Sequence, residues 1–479
     1  MKLILNQPKY EHLIREIITA YIPRLKIETT DEIPAHGDYT LVNVTENGKT
    51  TNYSATVCID GKSYSDNISE DVTHKLTISR LLADLLKKHV PIDLPWGILT
   101  GIRPAKMVRE MYDKGIDFDT ISDIFCNDYS VQTDKTKLAT DVAKKEIDII
   151  NSITPGAVSL YIGIPFCPTR CLYCSFTSQS IKFSNTLVEP YMDALFKEID
   201  YLAEHLSTTS TPIETIYIGG GTPTALSEKN LARLMHKIDN SFDLSNTKEY
   251  TVEAGRPDTI TKDKLITLKN AGVSRISINP QTMHQKTLDI IGRKHTPEDI
   301  VTCYNMATML GFDHINTDLI AGLPGEEVDD FVYTLDKIKE MNPSSVTVHT
   351  MSVKHGSYLD MNYSMYTPTA TTKVNAMLNE ADKVLRGMGK EPYYLYRQKN
   401  MLGNLENVGY CTPGNECLYN IYIMEEVQSI FSLGAGGSTK VINNDNIERV
   451  FNVKEVSEYI KRIDEMIDRK KSLFSKGAK

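Results

Sequence analysis

The middle of the chain alternates short apolar stretches with longer amphipathic segments. The apolar stretches predict strands at residues 159–163, 215–218, 249–253, 275–278, 315–320 and 345–351. The segment after the first strand is typical of a helix, with apolar residues at Leu187, Tyr191, Leu195, Ile199 and Leu202. Strands that alternate with helices pair in parallel through right-handed crossovers. Six such units are too few for a closed eight-stranded barrel, so we expect an open, partial (β/α)6 barrel.

The first 151 residues follow a different pattern, which predicts an α+β domain. Helices are expected at residues 10–21 and 72–88, and a helical connector at about 118–151. Two hairpin signals, Asn47-Gly48 and Asp60-Gly61, separate predicted strands near 39–44, 52–59 and 62–68.

The last part of the chain, residues 389–479, is less periodic. It contains a polar stretch at 393–420, a glycine-rich turn at 434–437 and a charged segment near 453–474 that predicts a terminal helix. We therefore expect three domains, 1–151, 152–388 and 389–479, of which the last is an α/β extension that covers the substrate.

Composition narrows the class of protein. The chain has 479 residues with 41% hydrophobic and 24% charged residues, which is typical of a globular protein of two or three domains. Its net charge of −9 is atypical of a nucleic-acid-binding surface, so we do not expect a nucleic-acid partner. Eight cysteines are too few for a disulfide scaffold, and no apolar run approaches the length of a membrane span. With no secretory signal at its start, the chain is expected to be cytoplasmic, with reduced thiols and no membrane partner.

Three cysteines, Cys167, Cys171 and Cys174, follow the first barrel strand with C-x-x-x-C-x-x-C spacing. Three thiolates can ligate three irons of a 4Fe–4S cluster and leave the fourth iron open to another ligand. Zinc sites usually take four ligands in two separated pairs, and no second pair stands out here. In α/β barrels the chemistry sits at the carboxyl ends of the strands, where these cysteines are expected. The spacing therefore predicts an iron–sulfur cluster rather than three packing or disulfide cysteines.

The cysteine motif resembles that of the radical S-adenosylmethionine (SAM) superfamily, in which SAM chelates the open iron. A glycine-rich segment, Gly219-Gly220-Gly221-Thr222-Pro223-Thr224, follows the second strand, where that superfamily contacts the SAM amino group. A tight strand-to-helix turn is the alternative explanation. Together with residues 161–176, this segment resembles the coproporphyrinogen dehydrogenase group, which includes HemN, HemW and HemZ types. Residues 95–104 and 393–401 extend the resemblance to HemZ-type proteins over nearly the full length.

The resemblance implies two cofactors, a 4Fe–4S cluster and one or two molecules of SAM. The cluster ligands and catalytic residues would be Cys167, Cys171 and Cys174. The positions that match SAM contacts of the family are Tyr161, Tyr173, Gly220, Gly221, Thr222, Glu253, Gln281, Arg293 and Asp318. Polar side chains at strand ends suit a sulfonium, an amine, a carboxylate and ribose hydroxyls, and Arg293 suits the carboxylate. Core packing, for the tyrosines, and surface or cap polarity, for the others, are the alternatives.

The resemblance also implies a reaction, the oxidative decarboxylation of propionate side chains that converts coproporphyrinogen III to protoporphyrinogen IX. A porphyrinogen or related tetrapyrrole would be the substrate, and a protein of flavodoxin or ferredoxin type the electron donor. Two departures matter: the N-terminal domain is unlike that of HemN, and residues 403–410 lack the His and Trp of the HemW haem motif. Two alternatives therefore stay open. One is a haem-handling protein, either a chaperone or a radical SAM methyltransferase that degrades haem, and the other is a tRNA-modifying radical SAM enzyme.

A tetracarboxylate substrate needs cations in an otherwise acidic protein. The candidates are Arg256, Lys354, His355, Arg397 and Lys399, with Arg103 and Lys106 from the first domain. The other cysteines are Cys58, Cys126, Cys303, Cys411 and Cys417. Isolated cysteines usually pack as small hydrophobes, although Cys411 and Cys417 would also suit a second cluster or a redox pair.

Overall fold

A computed structural model of the protein describes residues 1–71, 75–174, 179–354, 356–362, 366, 369–398, 401–443 and 446–476. The chain forms two compact units, one of Met1–Ala143 with Tyr396–Glu406 and one of Lys144–Leu395 with Asn407–Lys479. This division differs from the three domains expected from the sequence. The three-domain scheme, and the substrate-covering role of residues 389–479, stay predictions.

The first unit is built on a five-stranded sheet with strand order β2-β1-β3-β4-β5. The strands are β1 (Lys2–Leu5), β2 (Glu28–Thr29), β3 (Tyr39–Asn47), β4 (Thr50–Ile59) and β5 (Lys62–Glu70). The helices are α1 (Glu11–Tyr21), α2 (Lys75–His89), α3 (Pro104–Asp113), α4 (Phe118–Asp123) and α5 (Thr133–Ile150), which crosses into the second unit. The antiparallel β3-β4-β5 meander and helices α1 and α2 match the sequence-based expectation. The short strand β1, which pairs in parallel with β3, was not predicted.

The second unit holds the remaining elements. Its strands are β6 (Val158–Ile164), β7 (Phe166–Cys167), β8 (Gln179–Ser180), β9 (Ile213–Gly220), β10 (Glu249–Gly255), β11 (Arg275–Ile278), β12 (His314–Ala321), β13 (Ser345–Thr350), β14 (Glu391–Tyr396), β15 (Asn407–Cys411), β16 (Ile430–Leu433), β17 (Ser438–Asn443) and β18 (Asn446–Phe451). Its helices are α6 (Asn185–Thr209), α7 (Glu228–Ser241), α8 (Lys262–Asn270), α9 (Gln285–Ile290), α10 (Pro297–Met309), α11 (Val328–Met341), α12 (Tyr358–Met361), α13 (Thr371–Gly387), α14 (Leu418–Glu425), α15 (Val456–Lys461) and α16 (Ile463–Lys476). The terminal helix expected near 453–474 is thus two helices.

The predicted partial (β/α)6 barrel is confirmed. Strands β6, β9, β10, β11, β12 and β13 lie side by side in parallel within a sheet whose two edges are β14 and β18. Helix α6 packs its apolar face on this sheet, and Leu195, Ile199 and Leu202 are fully buried in the core. Each parallel strand therefore sends its carboxyl end to the same side of the barrel, which is where the cysteine loop begins.

The C-terminal part of the chain extends the same sheet. Strand β15 pairs antiparallel with β13, and β16 pairs in parallel with β6. Helix α14 begins at the opposite end of the barrel from the cysteines, because Glu249, the first residue of β10, accepts a hydrogen bond from the Leu418 N–H at 2.7 Å. Arg275, the first residue of β11, donates to the Asn415 carbonyl at 2.8 Å.

In the described part of the chain, no helix combines the length and the apolar character that crossing a lipid bilayer requires.

Candidate functional site

The cysteine loop leaves the barrel at the carboxyl end of β6. Cys167 ends the short strand β7, and its carbonyl accepts from the Ile181 N–H at 2.8 Å. Cys171 and Cys174 share one turn, in which the Cys174 N–H donates to the Cys171 carbonyl at 3.1 Å. None of the eight cysteines, all of which the structure describes, forms a disulfide bond. Among the described residues no three His, Cys, Asp or Glu side chains converge on a single metal ion.

Arg256 braces this loop from the end of β10. Its Nη1 donates to the Thr169 hydroxyl at 2.7 Å and lies 4.0 Å from the Cys171 Sγ. Its Nε and Nη2 donate to the two carboxylate oxygens of Asp258 at 2.9 and 2.8 Å. The side chain is 3% exposed. The structure therefore does not support the substrate-binding role that we expected for Arg256, and places it behind the cysteine loop.

The other cations that we expected to bind substrate lie in different parts of the chain. Arg397 is buried in the first unit, where it donates to the carbonyls of Leu99 at 2.5 Å and Asn404 at 2.9 Å, so its role there is structural. Lys354 follows β13 and lies near Cys174; burial lowers the pKa of Lys354, and this outweighs the opposing effect of Cys174. His355 and Lys399 lie outside the described residues. Arg103 and Lys106 belong to the first unit, and a substrate role for them stays a prediction.

The glycine-rich segment packs against the cysteine loop. The Gly221 N–H donates to the Ile164 carbonyl at 2.8 Å, and the Thr222 N–H to the Phe166 carbonyl at 2.7 Å. A Cβ on Gly221 would lie 2.6 Å from the Phe166 carbonyl oxygen. Glycine is thus required at position 221 by the approach of β7, whether or not a ligand binds. The Thr222 hydroxyl lies 3.5 Å from the Cys167 Sγ, which ties this segment to the first cysteine.

Glu253, on β10, is held by groups from β9. Its Oε1 accepts from the Tyr217 hydroxyl at 2.7 Å, and its Oε2 accepts from the Gly220 N–H at 3.3 Å. Burial raises the pKa of Glu253 to about 7, and Asp318 adds to the effect. The carboxyl is therefore poised between its neutral and charged forms near neutral pH.

Asp318, on β12, has a pKa that is shifted in the opposite direction from that of Glu253. Its Oδ1 accepts from the Asn316 amide at 2.7 Å and lies 3.8 Å from Nε2 of His349 on β13. Burial acts to raise the pKa of Asp318, but the interactions with His349 and Asn316 outweigh it and hold that pKa below its ordinary value. The barrel interior thus presents one ionised carboxylate beside one that titrates near neutrality.

Several buried polar atoms at the same end of the barrel have no hydrogen-bond partner among the described residues. They are the Ser277 Oγ, the Asn279 Oδ1, the Gln281 Oε1 and the Arg293 Nε. Each would cost about 1–3 kcal/mol if left without a partner, so together they indicate a polar ligand or solvent. Gln281 also adopts a left-handed backbone conformation (φ 68°), a strain that is common at functional sites.

Arg293 links these atoms to the cysteine loop. Its Nη1 donates to the Asn279 carbonyl at 2.6 Å, and its Nη2 lies 3.4 Å from the Tyr173 hydroxyl, one residue before Cys174. Donors, acceptors and carboxylates therefore meet beside three thiols, which is the donor set that a cluster and a polar nucleotide need.

Sequence analysis missed two aromatic residues and one histidine in this region. Tyr217 is directly opposite Tyr161 in the β6–β9 register, and His349 is two positions beyond the residue opposite Asp318. The two-residue alternation of strands was a usable signal for both. Tyr419, whose ring lies 4.6 Å from that of Tyr217, comes from helix α14, and no pattern in the sequence indicated it.

Cys411 and Cys417 are both buried thiols. Burial raises the pKa of the Cys411 thiol to about 12 and that of the Cys417 thiol well above its ordinary value. Such thiols resist becoming the thiolates that ligate metals, so the structure favours packing over a second cluster.

Comparison with known proteins relates this chain to a family. A family model of the radical SAM superfamily matches residues 161–338. Over 414 residues the chain is 40% identical to the oxygen-independent coproporphyrinogen-III oxidase-like protein HemZ of Bacillus subtilis, covering 85% of this chain and 83% of HemZ. It is 37% identical over 201 residues to the heme chaperone HemW of the same organism, but spans only 51% of HemW.

A solved structure supports the fold. The coproporphyrinogen III oxidase HemN from Escherichia coli, described as a radical SAM enzyme, superposes with a TM-score of 0.54 at 23% identity, over 68% of this chain and 73% of HemN. The cofactors of the family are a 4Fe–4S cluster and SAM, and the thiols and unpartnered polar atoms described above fit them. The chain therefore belongs to the radical SAM superfamily, as a member of the coproporphyrinogen-III oxidase-like group that includes HemZ.

Proposed function

We propose that this radical SAM enzyme acts on coproporphyrinogen III and converts its propionate side chains to vinyl groups, giving protoporphyrinogen IX. The observation that carries the proposal is the 40% identity to HemZ across 83% of that protein, whose name describes it as coproporphyrinogen-III oxidase-like. The site geometry supports the SAM-binding half of the proposal, and the similarity supports the substrate half.

The proposal gives the following roles to the residues of the site. Cys167, Cys171 and Cys174 hold the cluster, and the cluster with SAM supplies a 5′-deoxyadenosyl radical when both are bound. Arg293 offers its Nε to the SAM carboxylate. Glu253, Gln281 and Asp318 face the amine, the sulfonium and the ribose hydroxyls, and Tyr161, Tyr173, Gly220, Gly221 and Thr222 form the surrounding surface.

The chain orients the substrate and keeps water out of the reaction. A hydrogen atom is removed from the β-carbon of a propionate arm, and the resulting carbon radical passes one electron to an external one-electron acceptor and releases carbon dioxide, which leaves a vinyl group. Lys354, which lies near Cys174, is the cation proposed to pair with a propionate carboxylate. The reducing electron comes from a cytoplasmic protein of flavodoxin or ferredoxin type.

Mass spectrometry tests the substrate assignment. The anaerobically reconstituted protein is incubated with SAM, a reductant and coproporphyrinogen III, with the Cys171→Ala variant as control. We expect two successive losses of the mass of formic acid in the wild type and none in the control. Formation of 5′-deoxyadenosine by the wild type in the presence of an unchanged porphyrinogen would overturn the substrate while leaving the radical SAM chemistry intact.

A haem-handling role is the second candidate, favoured by the similarity to HemW. The described residues of 403–410 contain neither the His nor the Trp of the HemW haem motif, which weighs against it. A stable Soret band after the protein is mixed with haem would favour the haem-handling role over decarboxylation.

A further inference from the structure

Tyr217 is the side chain that fixes Glu253. Its hydroxyl donates to the Glu253 Oε1 at 2.7 Å, while the Gly220 N–H reaches the other oxygen at 3.3 Å. Both donors belong to the same strand, β9, so the carboxylate is hydrogen-bonded from one side by that strand. A Cβ on Gly219 would lie 2.9 Å from the Glu253 carboxyl carbon, so the carboxylate is also packed closely against that strand.

Tyr217 is itself immobilised by two other tyrosines. Its ring stacks on Tyr419 with 4.6 Å between centroids and an interplanar angle of 24°, and it lies 6.2 Å from the ring of Tyr161. Tyr419 is 5% exposed, and its N–H donates to Glu249 at 3.3 Å. The Tyr217 hydroxyl is therefore aimed by packing that extends to helix α14 at the other end of the barrel.

The titratable groups around Glu253 come from several of the elements that surround it. They are Tyr161 on β6, Tyr217 on β9, Asp318 on β12, His349 on β13 and Tyr419 on α14. Burial and Asp318 raise the pKa of Glu253, whereas the hydrogen bonds from Tyr217 and Gly220, and the proximity of His349, lower it. Tyr217 therefore favours the charged carboxylate.

We infer that Tyr217 is a positioning residue for SAM: it acts through Glu253, whose charged carboxylate it holds toward the cationic amine or sulfonium, and Tyr419 holds Tyr217. The inference rests on the proposed function in one respect, namely that Glu253 contacts SAM. Tyr217 needs no contact with SAM, because its hydrogen bond orients Glu253 and stabilises its charge.

SAM affinity measured against pH tests this inference. Dissociation constants are obtained by equilibrium dialysis of anaerobically reconstituted protein, with matched cluster content, over a range of pH around neutrality. The variants are Tyr217→Phe, Glu253→Gln and the double variant. Tyr250→Phe is the matched control, because Tyr250 lies on the adjacent strand β10 and its buried hydroxyl contacts Met235 rather than the site. Any titration of SAM itself is common to all variants and cancels in the comparison.

We expect Tyr217→Phe to weaken SAM binding about fivefold, as loss of one hydrogen bond would, and to move the midpoint of its pH dependence upward. Tyr250→Phe should change neither quantity. The double variant should bind no more weakly than Glu253→Gln, since Tyr217 acts only through that carboxylate.

The inference is overturned if Tyr217→Phe matches Tyr250→Phe in affinity and midpoint, or if its effect adds fully to that of Glu253→Gln. Wild-type affinity in Glu253→Gln would remove Glu253 from the SAM site and overturn the inference with it. Failure of the porphyrinogen assay, by contrast, leaves these binding measurements unaffected, so the two failures are distinguishable.

Discussion

The Nη1 of Arg256 lies 2.7 Å from the Thr169 hydroxyl, in the loop between the first and second cysteines. The same guanidinium is paired with both oxygens of Asp258, so the loop is fastened to the end of strand β10 through a planar, bidentate cation. The cysteine loop is thus held in place by a residue that is not itself a candidate cluster ligand.

Replacing Arg256 by lysine should loosen this loop. A lysine ammonium cannot pair bidentately with Asp258 and reach Thr169 at once, and we expect a loss of about 1–2 kcal/mol in the free energy of unfolding. Iron and sulfide analysis should show lower cluster content and faster loss of the cluster in air. Arg233→Lys is the control, because Arg233 forms a partly exposed ion pair with Glu189. Equal cluster retention in the two variants would contradict the bracing role.

Arg293→Ala should weaken SAM binding while the cluster stays intact. Arg293 reaches the cysteine loop through the Tyr173 hydroxyl, at 3.4 Å, and through Cys171, so the comparison at matched cluster content isolates the loss at the SAM carboxylate. Loss of one charge-assisted hydrogen bond should raise the dissociation constant of SAM about tenfold or more. Equilibrium dialysis at matched iron content measures it. An unchanged affinity would mean that Arg293 serves only to support the fold.

Glu253→Gln should stabilise the SAM-free protein at alkaline pH. Burial raises the pKa of Glu253 from 4.5 to about 7, so the stability contributed by the neutral carboxyl is fully present below about pH 4.5 and is lost as the pH rises through about 7. The glutamine stays neutral, so we expect the variant to exceed the wild type by about 1–2 kcal/mol at pH 8 and to match it near pH 5. Denaturant unfolding at both pH values checks this. A difference that is the same at both pH values would contradict the shifted pKa.

Lys470→Ala should destabilise the second unit. Lys470 donates at 2.5 Å to Glu198, which also accepts from the Gly434 N–H and the Tyr459 hydroxyl, and both charges are fully buried. Removal of one partner leaves a buried charge and costs about 3–5 kcal/mol. Lys197→Ala is the matched control: it breaks the exposed Lys197–Asp464 pair between the same two helices, α6 and α16. Thermal unfolding should separate the two variants clearly, and similar melting temperatures would contradict the account.

The barrel was predictable because each of its parallel strands is an apolar run flanked by helical periodicity. The assignment of residues 396–406 to the first unit was not predictable. Glu406 accepts hydrogen bonds from the Trp96 indole at 2.7 Å and the Lys135 ammonium at 2.6 Å, and these partners are distant in the sequence. Such long-range polar contacts leave no periodic signal.

Where chemistry demands a fixed spacing, as for the three cysteines, the sequence alone indicates a candidate site, and the cluster-ligand role of these cysteines stays a prediction. Arg256 was misjudged because a cation at a strand end suggests a substrate contact, whereas its hydrogen bond to Thr169, 87 residues earlier in the chain, leaves no signal in the sequence. Tyr217 was read only as part of an apolar strand. The two-residue alternation of β9 indicates the face on which Tyr217 lies, but its hydrogen bond to Glu253 on the neighbouring strand leaves no signal in the sequence.

Electron paramagnetic resonance of the reduced, anaerobically reconstituted protein, recorded with and without SAM, tests the central claim most directly. We expect the signal of a reduced 4Fe–4S cluster that changes when SAM is added, and no such signal from Cys171→Ala. A protein that takes up no iron, or a cluster signal that is indifferent to SAM, would contradict the account.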